Sequence, residues 1–290
     1  MPSITRILVP VDFSPPSEGA TRYAHSIARQ IGCELTLLHV LEPVEFAYSP
    51  IGIPPERLNE LMAGKSNAAQ VELDRLLVGE PDAGAVKRLL VKGDPAEQIL
   101  LCAKLQRADL IVMPTHGFDP VRRFLLGSVS SKVLHGAEIP VLTGVHFEGH
   151  DTRTFPPRHV VCGLDLGPNS ARVLEWSGHL AQEFAAQLTV VHATSDIGGR
   201  AEEFIDDDWR VMLNNRVRDH IAGLRQAVVE NAEVVVVVGD PHKALRDTVE
   251  RLNAALLVIG RGASAEGPFG RLRAHAYAIV RASPCPVLSV

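Results

Sequence analysis

A stretch rich in glycine and serine in the first half of the chain carries residue types that bind phosphate. Gly117 is followed, after nine residues, by the pair Gly127-Ser128, and Ser130 lies two positions further on. Glycine lets the backbone approach a ligand closely. A Gly-Ser pair that opens a helix presents unbonded amides, a hydroxyl and the positive end of the helix dipole, which together stabilise phosphate. The local spacing is equally typical of a turn followed by an N-cap serine, so both interpretations stay open.

This stretch follows one of several short apolar runs that have the composition of buried strands. The runs predicted as strands are Ile4–Val11, Leu35–Val40, Lys87–Val91, Leu110–Met113 and Val141–Val145. Segments of helical period separate them: Ser17–Ile31, Arg57–Leu77, Ala96–Leu105 and Leu125–His135. Strands that alternate with helices predict an α/β fold with a mainly parallel sheet. Such sheets bind ligands beyond the carboxyl ends of their strands, which is where the glycine and serine residues are expected.

The same order of motifs occurs twice along the chain. Gly93-Asp-Pro95 recurs as Gly239-Asp-Pro241, and Ile139-Pro-Val-Leu142 recurs as Cys285-Pro-Val-Leu288, each 146 positions later. The repeat is too long for a solenoid unit, so each copy is expected to bury its own core. We predict a first domain over 1–146, a linker over 147–157 and a second domain over 158–290.

The second copy departs from the first at the phosphate-binding positions. Ala263 corresponds to Gly117, and Arg273-Ala274 correspond to Gly127-Ser128. The aspartate that ends the first strand is retained as Asp165. An arginine would place a bulky side chain where a tight amide turn belongs, although its charge could also attract phosphate. We therefore expect the second site to be empty or differently occupied.

Composition excludes several classes of function. The chain has 290 residues, of which 46% are hydrophobic and 22% are charged, with a net charge of −5, so a nucleic-acid partner is not expected. The N-terminus lacks a signal-peptide pattern and no apolar run has membrane-spanning length, so we expect a cytoplasmic protein with no membrane partner. The four cysteines form no CxxC pair, which argues against a zinc or dithiol site. There is no P-loop motif, and no catalytic triad or carboxylate pair can be argued from spacing.

Several of these motifs together resemble the universal stress protein family in a tandem form. The family's nucleotide motif is Gly-x2-Gly-x9-Gly-Ser/Thr, which Gly117 and Gly127-Ser128 match, whereas Pro114 stands at the first glycine position. Ile7-Leu-Val-Pro-Val-Asp12 and Leu38-His39-Val40 also match the family pattern. The resemblance covers both halves and implies two Rossmann-like domains of the adenine nucleotide alpha hydrolase-like type, each with a five-stranded, mainly parallel sheet flanked by helices.

The resemblance also implies a ligand, which is ATP, or ADP or AMP, bound in the first domain with Mg²⁺ or Mn²⁺ held through the phosphates. The residues expected around it are Pro10, Val11, Asp12, Val40, Met113, Pro114, His116, Gly117, Gly127, Ser128, Val129 and Ser130. The expected function is stress response or signalling through nucleotide occupancy. An ATP-independent adaptor and a slow ATPase are the alternatives, and no catalytic residue is assigned. In the family a final strand often pairs antiparallel with that of a second domain, so the resemblance implies that Val141–Val145 and Val287–Val290 pair within the chain and cover their exposed edges. The two domains would then form an internal pseudo-dimer, and the chain could form a homodimer as well.

Overall fold

The computed structural model describes residues 3–43, 55–117, 126–144, 147, 155–194, 207–224, 232–261 and 274–290. Strands and helices alternate along both halves of the chain. The first half contains β1 (Arg6–Val11), α1 (Pro15–Ile31), β2 (Glu34–Leu41), α2 (Pro55–Arg75), β3 (Lys87–Lys92), α3 (Pro95–Leu105), β4 (Leu110–Pro114), α4 (Ser128–Gly136) and β5 (Val141–Gly144). The second half contains β6 (His159–Leu164), α5 (Ser170–Glu183), β7 (Gln187–Thr194), α6 (Asp207–Leu224), β8 (Ala232–Val238), α7 (Pro241–Leu252), β9 (Leu256–Ile259), α8 (Ala274–Ala282) and β10 (Val287–Ser289).

The expected α/β fold is confirmed, and the strands of both halves join into one ten-stranded sheet. The strand order is β3-β2-β1-β4-β5-β10-β9-β6-β7-β8, which is the same arrangement twice about a central seam. All pairs are parallel except β5 with β10, which are antiparallel. Leu142 and Leu288 are direct partners at this seam. The two final strands therefore pair as the sequence predicts, and the carboxyl edges of the two halves point in opposite directions.

Apolar side chains cover both faces of the sheet, which explains why its strands are continuous apolar runs. One core cluster holds Leu142 and Leu288 together with residues of α1, α2, α5 and α6. The other holds Val141 and Val287 together with residues of α3, α4, α7 and α8. Each cluster runs across the seam, so the two halves share their cores. Phe147, at the start of the predicted linker, is buried and packs on Tyr23.

Polar side chains cap the starts of α1, α3 and α7. Ser14 caps α1, and its hydroxyl accepts a hydrogen bond from the Ser17 amide, with prolines in the first turn. Asp94 and Asp240 cap α3 and α7 in the same way. These caps fix where α1 and α3 begin, beside the carboxyl ends of β1 and β2. Within the described part of the chain, no helix combines the length and apolarity needed to cross a bilayer.

Candidate functional site

A cavity of about 300 Å³ opens at the carboxyl edge of the sheet in the first half of the chain. This volume is at the lower end of the range of small-molecule sites. Its walls come from the ends of β1, β2 and β4 and from the beginnings of α1, α3 and α4. The lining residues are Pro10, Val11, Asp12, Ser17, Leu38, His39, Val40, Glu42, Pro95, Ile99, Met113, Pro114, His116, Gly117, Gly127, Ser128, Val129 and Ser130. The structure thus brings all the residues predicted from the sequence into one cavity.

Asp12 lies at one end of this cavity and is held by the turn into α1. Its Oδ1 accepts hydrogen bonds from the amide and the hydroxyl of Ser14, the residue that caps α1. The backbone amide of Asp12 donates to Ser17 Oγ at 3.2 Å. Phe13 between them adopts a left-handed φ of 64°, an uncommon conformation for a non-glycine residue. The turn therefore uses one carboxylate oxygen as an anchor and leaves Oδ2 directed toward Gly117.

Gly117 is required by its contact with Asp12. A Cβ atom at position 117 would lie 2.2 Å from Asp12 Oδ2, well inside van der Waals contact. Any side chain there would displace the carboxylate or the loop. Gly117 thus allows the segment after β4 to approach Asp12, after β1, closely beside the cavity.

The N-terminus of α4 forms another wall and supplies the potential anion site. Gly127 is the N-cap residue, and no side chain caps this end of the helix. The Gly127 amide donates to the Thr115 carbonyl at 2.8 Å, which ties the helix start to the end of β4. The first amides of α4, from Ser128 onward, have no intrahelical acceptor because of their position in the helix. They line the cavity together with the positive end of the helix dipole.

Hydroxyl groups fix the loop that leaves β4. The buried Ser130 hydroxyl donates to the Pro114 carbonyl at 3.0 Å, so its proton is engaged in holding α4 against the strand. Thr115 Oγ1 lies 3.1 Å from His116 Nδ1, and both side chains are buried. Ser130 thus acts as a brace in this structure, whereas the sequence predicted a direct ligand contact for its hydroxyl.

A histidine bonds the end of the first strand in each half, β1 in the first and β6 in the second. His39 Nδ1 donates to the Val11 carbonyl at 2.7 Å, and His192 Nδ1 donates to the Leu164 carbonyl at 2.8 Å in the second half. His39 also stacks on Phe13, with ring centroids 4.3 Å apart. The Val11 carbonyl is therefore already used within the protein.

Several residues that line the cavity were not expected there from the sequence: Ser17, Leu38, His39, Glu42, Pro95 and Ile99. Ser17 and Ile99 lie on helices that only the fold brings to this edge. Glu42 directly follows β2, so its position at a strand end was the one signal that could have identified it.

The charge of the described lining is negative. It includes the carboxylates Asp12 and Glu42 and no lysine or arginine. Arg122 and Arg123, which the sequence suggests could reach a phosphate, lie outside the described residues.

No group of three or more His, Cys, Asp or Glu side chains able to hold a metal exists within the described ranges. A polyanionic ligand would be balanced here by the α4 amides and by a cation that it carries itself.

The cysteines offer no reactive thiol near neutral pH. Burial raises the pKa of the Cys162 and Cys285 thiols to about 12 and that of Cys33 to about 11. All four cysteines are free, and a thiol with a raised pKa is a poor nucleophile. Nucleophilic and redox chemistry by cysteine is thereby disfavoured.

The second half repeats the hydrogen bonds around the aspartate but has different residues beside it. Asp165 Oδ1 accepts hydrogen bonds from the Gly167 amide at 2.9 Å and the Ser170 hydroxyl at 3.3 Å, much as Asp12 does in the first half. Gly163 stands where the first half has Pro10, and a Cβ on it would lie 2.9 Å from Leu245 Cδ1. Leu245 therefore fills space at this position. Ala263 and Arg273 lie outside the described residues, so the expected difference at the phosphate end stays a prediction.

Comparison with known proteins identifies the family. The model of the universal stress protein family matches residues 3–143 and again residues 157–290. A universal stress protein of Mycolicibacterium smegmatis is 30% identical over 224 residues, covering 73% of this chain and 73% of the relative. One from Thermus aquaticus is 36% identical over 143 residues, which are 47% of this chain and 95% of that protein. The solved structure of a universal stress protein from Archaeoglobus fulgidus covers 98% of this chain and 97% of its own, with a TM-score of 0.69 at 20% identity. The chain belongs to the universal stress protein family and contains two copies of its domain in tandem.

Proposed function

We propose that the first domain binds ATP and that the protein acts in stress response or signalling through the occupancy of this site. The observation that carries the proposal is the position of α4, whose uncapped N-terminus lines a cavity that also has an apolar wall. Ile99, Leu38 and Met113 suit the faces of a purine ring. The N-terminal amides of α4 suit phosphate. One cavity thus offers both kinds of surface that an adenine nucleotide needs.

The geometry supports one orientation of the nucleotide. Asp12 and the strand ends at Val11 and Val40 form the end proposed for adenine and ribose, while Gly127 and Ser128 form the end proposed for phosphate. The position of Gly117 agrees with this orientation, because a side chain at position 117 would collide with the carboxylate of Asp12. Mg²⁺ or Mn²⁺ would be held through the phosphate oxygens, since the described lining offers no ready-made cluster of metal ligands.

The substitution Gly127→Arg tests the proposal, because it reproduces in the first domain the residue found at the equivalent position of the second. A Cβ at position 127 would already lie 3.4 Å from the Thr115 carbonyl, and a long side chain would cover the α4 amides. We expect calorimetric titration with ATP and Mg²⁺ to show binding in the parent protein and at least a tenfold loss of affinity in the variant. Gly64→Arg is the matched control, since nothing lies within 4 Å of a Cβ at this exposed helix position.

Slow hydrolysis is a second candidate, favoured by the presence of His116 in the cavity wall. Its Nδ1 is paired with a threonine hydroxyl, which stabilises an imidazolium less than a carboxylate would. We therefore expect little or no turnover. Phosphate release above that of a Ser128→Ala variant would support an ATPase. If the parent protein binds no nucleotide at all, an adaptor that works by protein contacts becomes the better explanation.

A further inference from the structure

Arg261 of the second half reaches across the seam to the far end of the helix that carries the proposed phosphate site. It follows β9, and its backbone amide donates to the Val290 carbonyl at 3.1 Å. Its side chain donates from Nη1 to the Ala137 carbonyl at 2.8 Å and from Nη2 to the Ile139 carbonyl at 2.7 Å. A longer bond of 3.4 Å joins Nη1 to the Leu134 carbonyl. The residue is 4% exposed, so this contact is buried.

These acceptors belong to the C-terminal end of α4 and the turn that follows it. The last carbonyls of a helix lack intrahelical donors, and a cation near them interacts favourably with the helix dipole. The planar guanidinium can bond several carbonyls at once, which a lysine ammonium does less well. Arg261 therefore caps α4 from the other half of the molecule and fixes where the helix ends.

The opposite end of the same helix lines the cavity. The helix α4 has nine residues, and a helix of that length is about 13 Å long and behaves as a rigid rod. We therefore expect a displacement at Ala137 to shift Ser128, at the cavity. The residue at the equivalent position of the first half is Thr115, which lies beside its own ligand loop and bonds His116. At this position the second half has an arginine, which bonds to the end of α4 in the first half.

We propose that Arg261 is a positioning residue for nucleotide binding in the first domain, acting through α4 on the phosphate end of the site. The role rests on the proposed ATP binding and adds to it a dependence on the second domain. It also gives the altered second copy a function that does not require a ligand of its own. The adenine end is built from the ends of β1, β2 and β4, the turn into α1 and Ile99 of α3. The hydrogen bonds of Arg261 given above reach none of these elements.

The test compares ATP with adenosine, each titrated by calorimetry in the presence of Mg²⁺, in the full-length protein and in Arg261→Gln. We expect ATP affinity to fall by about tenfold or more and adenosine affinity to stay within about twofold, because only the phosphate end is displaced. A variant that merely weakened the fold would change both ligands alike. Arg261→Lys keeps the charge but loses the planar fork, and we expect it to bind ATP with an intermediate affinity. It is the variant to use if Arg261→Gln does not fold.

Arg172→Gln is the matched control. Arg172 also donates across the seam to the same turn, from Nη2 to the Glu138 carbonyl at 3.4 Å, but this bond is exposed. We expect it to leave both affinities unchanged. Equal affinities for ATP in the parent and both Arg261 variants, or equal losses for ATP and adenosine, would overturn the positioning role while leaving ATP binding in place. A parent protein that binds neither ligand would overturn the proposed function, and the role of Arg261 with it.

Discussion

Asp12 has the clearest single-residue role at the candidate site. One of its carboxylate oxygens anchors the start of α1 through Ser14, and the other faces Gly117. The pairing explains why an aspartate at the end of β1 and a glycine after β4, more than a hundred positions apart in the sequence, belong to one motif. The carboxylate leaves no room for a side chain at position 117, since a Cβ there would occupy its space.

The two equivalent aspartates permit a direct comparison between the halves. We expect Asp12→Ala to lower the affinity for ATP by about tenfold or more, because the carboxylate and the turn that presents it are lost together. Asp165→Ala removes the same kind of anchor in the second half, through its bonds with Gly167 and Ser170. We expect that variant to retain ATP affinity, as measured by calorimetry. An equal loss in the two variants would show that the halves contribute equally to binding.

Residue types and spacing pointed to Gly117, Gly127, Ser128 and Ser130, because a helix start is marked in the local sequence, whereas Asp12 and His116 were expected only from the family resemblance. The apolar wall could not be predicted in the same way. Ile99 and Leu38 look like ordinary core residues in the sequence, and only the packing of α3 against β2 brings them to the cavity. Ser130 was predicted at the site, but its hydroxyl is directed to the Pro114 carbonyl by the tertiary structure.

At the scale of elements, α1 contains a buried histidine, His25, whose lowered pKa predicts that stability depends on pH. His25 is 4% exposed, and its Nε2 has no hydrogen-bond partner among the described residues. Burial lowers its pKa below the usual value, and Arg29 lowers it further, while Glu80 and Asp82 act in the opposite direction. The folded state therefore favours the neutral ring.

The sign of the pH effect follows from that lowered pKa. Above about pH 6.5 the ring of His25 is neutral in both states, and as the pH falls below this value the unfolded chain binds the proton first. The free energy of unfolding should therefore decrease between about pH 7 and pH 5, before most carboxylates titrate. In urea unfolding, His25→Gln should show a shallower decrease than the parent protein, since it removes this proton uptake. Identical slopes for the two proteins would contradict the assignment.

Helix boundaries were predictable where a cap residue and a proline mark them. The helix predicted from Ala96 begins at Pro95 after the cap Asp94, and the helix predicted from Ser17 begins at Pro15 after the cap Ser14. The start of α4 was placed too early, at Leu125, because its apolar period continues back into the loop. Gly127 is the N-cap in the structure, so the helix begins with the amides that face the cavity.

At the scale of the whole molecule, the antiparallel pair of β5 and β10 turns two repeats into one continuous sheet. The family resemblance implied this pairing. It could not predict that Arg261 would cross the seam, because a contact between a loop of one repeat and a helix end of the other leaves no periodic pattern. A residue that differs between the repeats, Arg261, thus makes contacts on the first repeat's side of the seam.

A substitution at the seam tests whether the halves depend on each other. Leu288 is 2% exposed and pairs with Leu142, so Leu288→Ala should lower the free energy of unfolding by about 2–5 kcal/mol. Because both core clusters cross the seam, we expect the protein to unfold in urea in a single transition, with circular dichroism as the probe. Leu101→Ala is the control at an exposed position of α3, and it should change stability by less than about 0.5 kcal/mol. Two separate transitions in the parent protein would show that the halves unfold independently.

The asymmetry between the two halves makes a prediction about stoichiometry. The first half has an uncapped helix N-terminus, Gly117 and Gly127 around its cavity, whereas the sequence of the second half has Ala263 and Arg273 at the matching positions. Calorimetric titration of the full-length protein with ATP and Mg²⁺ measures the number of sites directly. We predict one ATP bound per chain. Two ATP molecules per chain would contradict the division of roles between the halves, and no binding would contradict the proposed function itself.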